Sequence, residues 1–153
     1  MWLGHSFEVR TMGENNLNHP RRKARESAMQ ALYALEMNNG YPADILDLYD
    51  ESFNNLEDDE YMKQLFHCVV EQTSWADDLI SKCLKNWEYG RVALLDKILL
   101  RMGVSEMYHM EDIPPKVSIS EMVEIAKVYS TEESSSFVNG ILDTIYKNYS
   151  EIN

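Results

Sequence analysis

Four cations stand within five positions, at Arg21, Arg22, Lys23 and Arg25, in a chain of 153 residues whose formal net charge is −12. They open a segment with helical periodicity, where positive side chains oppose the helix macrodipole by about 0.3–1 kcal/mol each. Arginine guanidinium groups and the backbone N–H groups of a helix start both suit phosphate oxygens. The arrangement therefore predicts a binding site for RNA or another polyanion, with a solvated basic helix start as the alternative.

The remainder of the chain is acidic. Residues 1–40 hold five of the fourteen Lys and Arg and four of the twenty-six acids, which leaves nine cations and twenty-two acids in residues 41–153. A body of this charge repels nucleic acid and attracts basic proteins, while a confined cationic patch can still bind phosphates. The sequence therefore predicts two kinds of partner, although acidic side chains of this kind also form ordinary solvated faces.

No residue pattern typical of an enzyme or a metal site is present. The four His residues lack ligand spacing, the serines at 134–136 lack a G-x-S-x-G context, and no phosphate-binding Gly-rich loop occurs. We therefore expect no catalytic residue, no metal and no cofactor. Cys68 and Cys83 stand fifteen residues apart, which favours free thiols in a reducing compartment. Because the sequence shows no apolar stretch of signal-peptide or transmembrane length, it predicts a cytoplasmic protein.

The elements that must position these residues are helices. Apolar residues recur at intervals of three and four along six segments, and strand-like alternation is absent. Helices are predicted from Pro20 to about Gly40, from about Asp44 to Phe53, from about Asp59 to Lys85, from Leu94 to the Pro114–Pro115 pair, from Ser118 to Tyr129, and from Ser130 through Tyr146. The last two starts depend on S-x-x-E capping boxes, Ser118 with Glu121 and Ser130 with Glu133. The fold class is therefore all-α, with six to seven helices.

The chain is expected to contain one folded unit with two short flanks. Residues 1–19 carry two glycines and an Asn pair without periodicity, so we expect a loosely ordered N-terminal extension. Residues 20–149 are expected to form a single helical domain, which is long enough to bury a core. Residues 150–153 are expected to form a C-terminal tail.

Three segments of the sequence resemble the NusB family of transcription antitermination proteins. They are RRKARESAMQALYALE, LLDKILLRMGVSEM and IPPKVSISEMVEIAKVYSTEESSSFVNGILD, and the resemblance covers about residues 20–147. It implies two packed three-helix bundles and a binding activity without catalysis. Members of the family bind the boxA element of RNA together with NusE, a small-subunit ribosomal protein, and the complex joins RNA polymerase and other Nus factors.

The resemblance also implies which residues bind RNA. By position these are Arg21, Arg22, Lys23, Arg25, Gln30, Phe137 and Asn139. The cations would contact phosphates, and neighbouring polar groups would read unstacked bases. Phe137, in the F-V-N-G segment, could offer a stacking face or equally belong to the core. Ser136 stands where the family often has a basic residue, and the acidic body predicts weak, salt-dependent RNA binding without the partner.

A protein partner is implied by three further positions. Tyr33, Asp96 and Glu133 fall where the family has an aromatic residue and two acids in the region facing NusE. Since ribosomal proteins are typically basic, opposite potentials would speed association. Two alternatives stay open: a helical adaptor that binds only proteins, and the NusB-like domain of an RNA (cytosine-5) methyltransferase without its catalytic part. Because some relatives self-associate, a homodimer is a further alternative.

Overall fold

The structure, a computed structural model, describes residues 19–53, 58–84, 89–110 and 112–152. These ranges contain six α-helices, one short 3₁₀ helix at Tyr89–Arg91 and no strand. The α-helices are α1 (His19–Asn38), α2 (Pro42–Phe53), α3 (Asp59–Lys82), α4 (Leu94–His109), α5 (Pro115–Tyr129) and α6 (Glu132–Ile152). The all-α prediction is confirmed. The predicted N-terminal extension lies outside the described residues except at His19, and α6 continues past the expected domain end at 149.

The predicted helix ends lie within about five residues of the observed ones, but the predicted start of α5 depends on a capping box that the structure does not form. This helix begins at Pro115, with Pro114 at its N-cap, because proline is suited to a first turn where its missing N–H is not needed. The predicted capping box is wrong, since Ser118 and Glu121 are both buried inside the helix. At α6 the cap is Thr131, one residue after the predicted Ser130, and its hydroxyl accepts a 3.0 Å hydrogen bond from the backbone N–H of Ser134.

The helices form two three-helix bundles that pack on each other, as predicted. Helices α1, α2 and α3 contact one another, and so do α4, α5 and α6. The bundles meet where α4 packs on α1 and α3 and where α6 packs on α3. Because α4 is covered by four helices, Arg101 is the only residue between Ile98 and Met107 that is not buried. A helix that is enclosed in this way brings residues of both bundles together around it.

Close packing of α4 on α6 predicts opposite effects for two glycine substitutions. A Cβ atom at Gly103 would lie 2.7 and 2.9 Å from the two Leu142 methyl groups, whereas one at Gly140 meets nothing within 4 Å. Gly103→Ala is expected to lower the free energy of unfolding by about 1 kcal/mol, since overpacking outweighs the gain in helix propensity. Gly140→Ala is expected to raise it by about 0.4–1 kcal/mol. Urea unfolding followed by circular dichroism measures both, and equal stabilisation would contradict the packing argument.

Candidate nucleic-acid interface

Helix α1 turns a face of small residues towards the interior. Ala24, Ala28 and Ala31 are fully buried, at the spacing of one helical stripe, where α1 packs on α3 and α4. Side chains of alanine let the backbones approach closely. Arg25 follows Ala24 directly and lies on this inner side, with 1% of its surface exposed.

The Arg25 side chain is held by carboxylates from two other helices. Its Nε donates a 2.8 Å hydrogen bond to Glu106 on α4, and its Nη1 donates to Glu121 on α5 over 3.3 Å. The Tyr61 hydroxyl, from α3, donates to the same Glu106 oxygen. Burial alone would lower the pKa of Arg25, but the attractions of Glu106, Tyr61 and Glu121 and the hydrogen bond to Glu106 together outweigh burial, and the pKa is raised. Arg25, predicted as an RNA contact, is therefore an interior residue with no surface to offer to RNA.

Arg22 shares one of these carboxylates. Its Nε and Nη2 donate to the two oxygens of Glu121 at 2.9 and 2.7 Å, a two-point contact between a guanidinium fork and a carboxylate. The hydrogen bond to Glu121 raises the pKa of Arg22. Only 15% of the Arg22 side chain is exposed. We call Arg22, Arg25, Glu106 and Glu121 the buried ion cluster, which joins α1 to α4 and α5.

The other two cations of the segment lie at the surface. Arg21 has 41% of its side chain exposed, lies 3.3 Å from Asp58 and covers the ring of Tyr61 at 4.2 Å. Lys23 is exposed. The structure thus divides the four predicted contacts into an outer pair, Arg21 and Lys23, and an inner pair, Arg22 and Arg25.

Asn139 lines a groove between α5 and α6 of about 430 Å³. Lys116, Ser120 and Lys127 of α5 line the same groove. Neither lysine is among the RNA-binding residues predicted from the sequence. Their separation of eleven residues, about three helical turns, places them on one face of α5 and was a signal that could have found them.

Gln30 lies farther along α1, where its amide donates a 3.4 Å hydrogen bond to the Tyr129 hydroxyl at the end of α5. The same two side chains line a pocket with Tyr33, which is exposed, and with Ala93 before α4. This pocket has a volume of about 550 Å³. Gln30 therefore shares a pocket with a predicted partner residue, and the groove that contains Asn139 is lined by other side chains.

Phe137 and Asn139 line separate hollows. Two residues along a helix differ by about 200° in direction, and Phe137 points into a pocket of about 290 Å³ with Asp96 and Glu133. It also packs against the core. The structure thus brings one predicted RNA residue together with two predicted partner residues. Ala93 lines both this pocket and the one that contains Tyr33, so the three predicted partner residues lie on one continuous surface.

Asp96 is buried in the pocket that contains Phe137 and Glu133, with 7% of its surface exposed. One carboxylate oxygen accepts a 3.2 Å hydrogen bond from the Ser134 hydroxyl, and the other has no hydrogen-bond partner among the described residues. Burial raises the pKa of Asp96, and the Ser134 hydrogen bond opposes that shift without cancelling it. A buried carboxylate of this kind is suited to accept a donor from another molecule.

Within the described ranges, no three His, Cys, Asp or Glu side chains are grouped so that they could hold a metal ion. None of the helices that the structure describes is long and apolar enough to cross a membrane. Cys68 and Cys83 are not joined by a disulfide, and each is partly buried. Burial raises the pKa of Cys68 to about 11, so this thiol is an unreactive one at neutral pH.

A family model described as the NusB family matches residues 22–147. The chain belongs to the NusB family. The resemblance drawn from three segments of the sequence is therefore confirmed, and the match spans all six helices except for short pieces at either end.

Relatives in this family are named as transcription antitermination proteins. The NusB of Methylacidiphilum infernorum is 46% identical over 129 residues, which cover 83% of this chain and 90% of that protein. A crystal form of T. maritima NusB is 36% identical with a TM-score of 0.73, covering 83% of this chain and 90% of that one. A NusB solved with NusE in complex with dsRNA is 28% identical with a TM-score of 0.76, covering 86% and 98%.

Proposed function

We propose that this chain is a transcription antitermination factor that binds boxA-type RNA together with NusE and carries no catalytic activity. The observation that carries the proposal is the outer pair of cations, Arg21 and Lys23, on the surface of an otherwise acidic member of a family in which one protein has been solved with NusE and dsRNA. In this role the complex would join RNA polymerase and other Nus factors, in the cytoplasm.

The RNA surface in this proposal extends from the start of α1 across α5. Arg21 and Lys23 contact phosphates at one end, and Lys116 and Lys127 contact them in the groove that contains Asn139. Glu124 connects the two ends, since it lines that groove and also lies near enough to Arg22 to raise its pKa. Amides such as Asn139 supply both donors and acceptors for the edges of unstacked bases.

Gln30 and Phe137 fit the margin of this surface. Each lies beside a predicted partner residue, Gln30 near Tyr33 and Phe137 near Asp96. We propose that they contact RNA where it passes between this chain and NusE. Arg22 and Arg25 support the surface from within, because the buried ion cluster fixes the start of α1 against α4 and α5.

The NusE surface is formed by Tyr33, Asp96 and Glu133. A net charge of −12 and an acidic pocket complement a basic ribosomal protein and would accelerate its association. One buried Asp96 oxygen has no hydrogen-bond partner among the described residues, and it would accept a hydrogen bond from a basic side chain of NusE that enters the pocket.

The test of RNA binding is a salt titration of the double variant Arg21→Gln/Lys23→Gln. Fluorescence anisotropy with a labelled boxA-like RNA, in the presence of NusE, gives Kd at several salt concentrations. Each lost phosphate contact reduces the slope of log Kd against log salt by about 0.7 for single strands, so we expect a reduction of about 1.4. The preference for boxA over a scrambled RNA should persist, because phosphate contacts carry little sequence information.

The matched control is Lys82→Gln/Lys97→Gln, which also removes two positive charges, one at the far end of α3 and one on α4. Its slope should equal that of the wild-type protein. If both double variants changed the slope equally, only overall charge would matter and the RNA surface would be wrong. If the wild-type protein with NusE bound neither RNA, the protein-only adaptor would replace this proposal.

A further inference from the structure

We infer that Glu121 keeps Arg22 away from RNA phosphates and so limits the sequence-independent part of RNA binding. The inference deepens the proposed function and rests on it. It concerns the inner pair of cations, whose position the sequence alone does not reveal.

The geometry of the Arg22–Glu121 contact supports this role. Glu121 occupies Nε and Nη2 of Arg22 at 2.9 and 2.7 Å, which is the edge that a guanidinium group also presents to phosphate. The Arg22 side chain is 15% exposed and that of Glu121 is 6% exposed. RNA could therefore take this edge only by displacing a carboxylate that lies largely in the interior.

If RNA drew Arg22 away, Glu121 would lose two hydrogen bonds and its closest cation. Its remaining partner would be Arg25, which contacts it over 3.3 Å and donates its shorter hydrogen bond to Glu106. A buried carboxylate that loses its closest cation is strongly unfavourable. Arg22 therefore stays with Glu121 when RNA binds.

The charge balance of the buried ion cluster leads to the same conclusion. Two arginines face two glutamates, so the cluster as a whole offers no net positive charge to a polyanion. Arg21 and Lys23 are the cations of this segment that remain at the surface. Fewer phosphate contacts weaken binding to every RNA, so withholding Arg22 lowers the sequence-independent affinity.

Replacing Glu121 by Gln should release Arg22. The glutamine amide has one oxygen and no charge, so it can accept one of the two fork hydrogen bonds and no longer neutralises the guanidinium. Arg22 is then able to turn towards solvent from its place beside Lys23 and bind a phosphate.

The decisive measurement is the salt dependence of binding to a scrambled single-stranded RNA, by fluorescence anisotropy. For Glu121→Gln we expect tighter binding and a slope of log Kd against log salt that is steeper by about 0.7, the contribution of one phosphate contact. Glu36→Gln is the matched control, since Glu36 also pairs with an arginine, Arg101, and its loss changes the net charge equally. A Glu121→Gln slope equal to that of the wild-type protein, or an equal change in both variants, would overturn the inference.

Arg22→Gln in the otherwise wild-type chain provides a second test that does not depend on the folding of Glu121→Gln. If Glu121 withholds Arg22 from phosphates, Arg22→Gln keeps the wild-type slope. In the Glu121→Gln background, Arg22→Gln should remove the increase in slope and the tighter binding. If instead it reduces the wild-type slope by about 0.7, as Lys23→Gln should, Arg22 already contacts phosphate and the inference is wrong.

Failure of this inference and failure of the proposed function give different results. A wild-type protein that does not prefer boxA over scrambled RNA, with NusE present, contradicts the proposed function. The effect of Glu121 is measured on scrambled RNA alone and is judged by the slopes of the variants, whatever the result with boxA.

Discussion

Arg25→Met is expected to lower the free energy of unfolding by about 3–5 kcal/mol, because it leaves a buried carboxylate without its cation. Glu106 is fully buried, and its second oxygen has no hydrogen-bond partner among the described residues. Its charge is therefore balanced through the one oxygen that accepts from Arg25 and Tyr61. Methionine fills much of the volume of arginine, so the loss reflects charge more than a cavity. Urea unfolding followed by circular dichroism measures the change.

Two further variants test whether the loss of stability comes from an unpaired buried charge. Lys127→Met removes an exposed cation that pairs with Glu124, and it should change stability by less than about 0.5 kcal/mol. The double variant Arg25→Met/Glu106→Gln removes both charges and should recover more than half of the loss, since neutral replacements of a buried ion pair are often tolerated. A loss below about 1 kcal/mol for Arg25→Met alone would show that the cluster does not hold α1 in place.

The periodicity of apolar residues was sufficient to find all six helices and the all-α class. It could not place the start of α5, because the S-x-x-E spacing there has a different cause. Glu121 accepts hydrogen bonds from Arg22 and Arg25, which lie 99 and 96 residues earlier in the chain. A local capping box and a distant ion pair use the same residue types, and only the assembled fold separates them.

The same limit applies to the cationic segment. Its composition predicted an RNA or polyanion site at four positive charges, whereas the structure pairs Arg21, Arg22 and Arg25 with carboxylates of the same chain. The position of Arg25, on the stripe formed by Ala24 and Ala28, was a local signal that it faces inward. Nothing local identifies Glu106 as its partner on α4. Local patterns therefore predict that a charge is unusual, while long-range packing decides whether an external ligand or the protein itself neutralises it.

Asp96→Asn is expected to have opposite effects on the isolated chain and on its complex with NusE. Because burial raises the pKa of Asp96, the folded state binds this proton more tightly than the unfolded state does. The ionised carboxylate therefore costs stability at neutral pH, and that cost decreases as the pH falls through the raised pKa. Asparagine carries no charge, so the isolated variant should be more stable than the wild-type protein at neutral pH, as measured by urea unfolding.

In the complex the charge of Asp96 becomes favourable, if a basic side chain of NusE occupies the pocket. Its loss should weaken NusE binding by about 2–5 kcal/mol, which corresponds to at least about thirtyfold in Kd by isothermal titration calorimetry. Glu133→Gln, at the exposed edge of the same pocket, should change Kd by only a few fold, because rim charges act mainly on association rates. Unchanged NusE binding by Asp96→Asn would reject this surface. A variant that lost stability and binding together would show instead that Asp96 acts through the fold. Opposite signs in the two measurements would show that NusE offsets the desolvation cost of the buried Asp96 carboxylate.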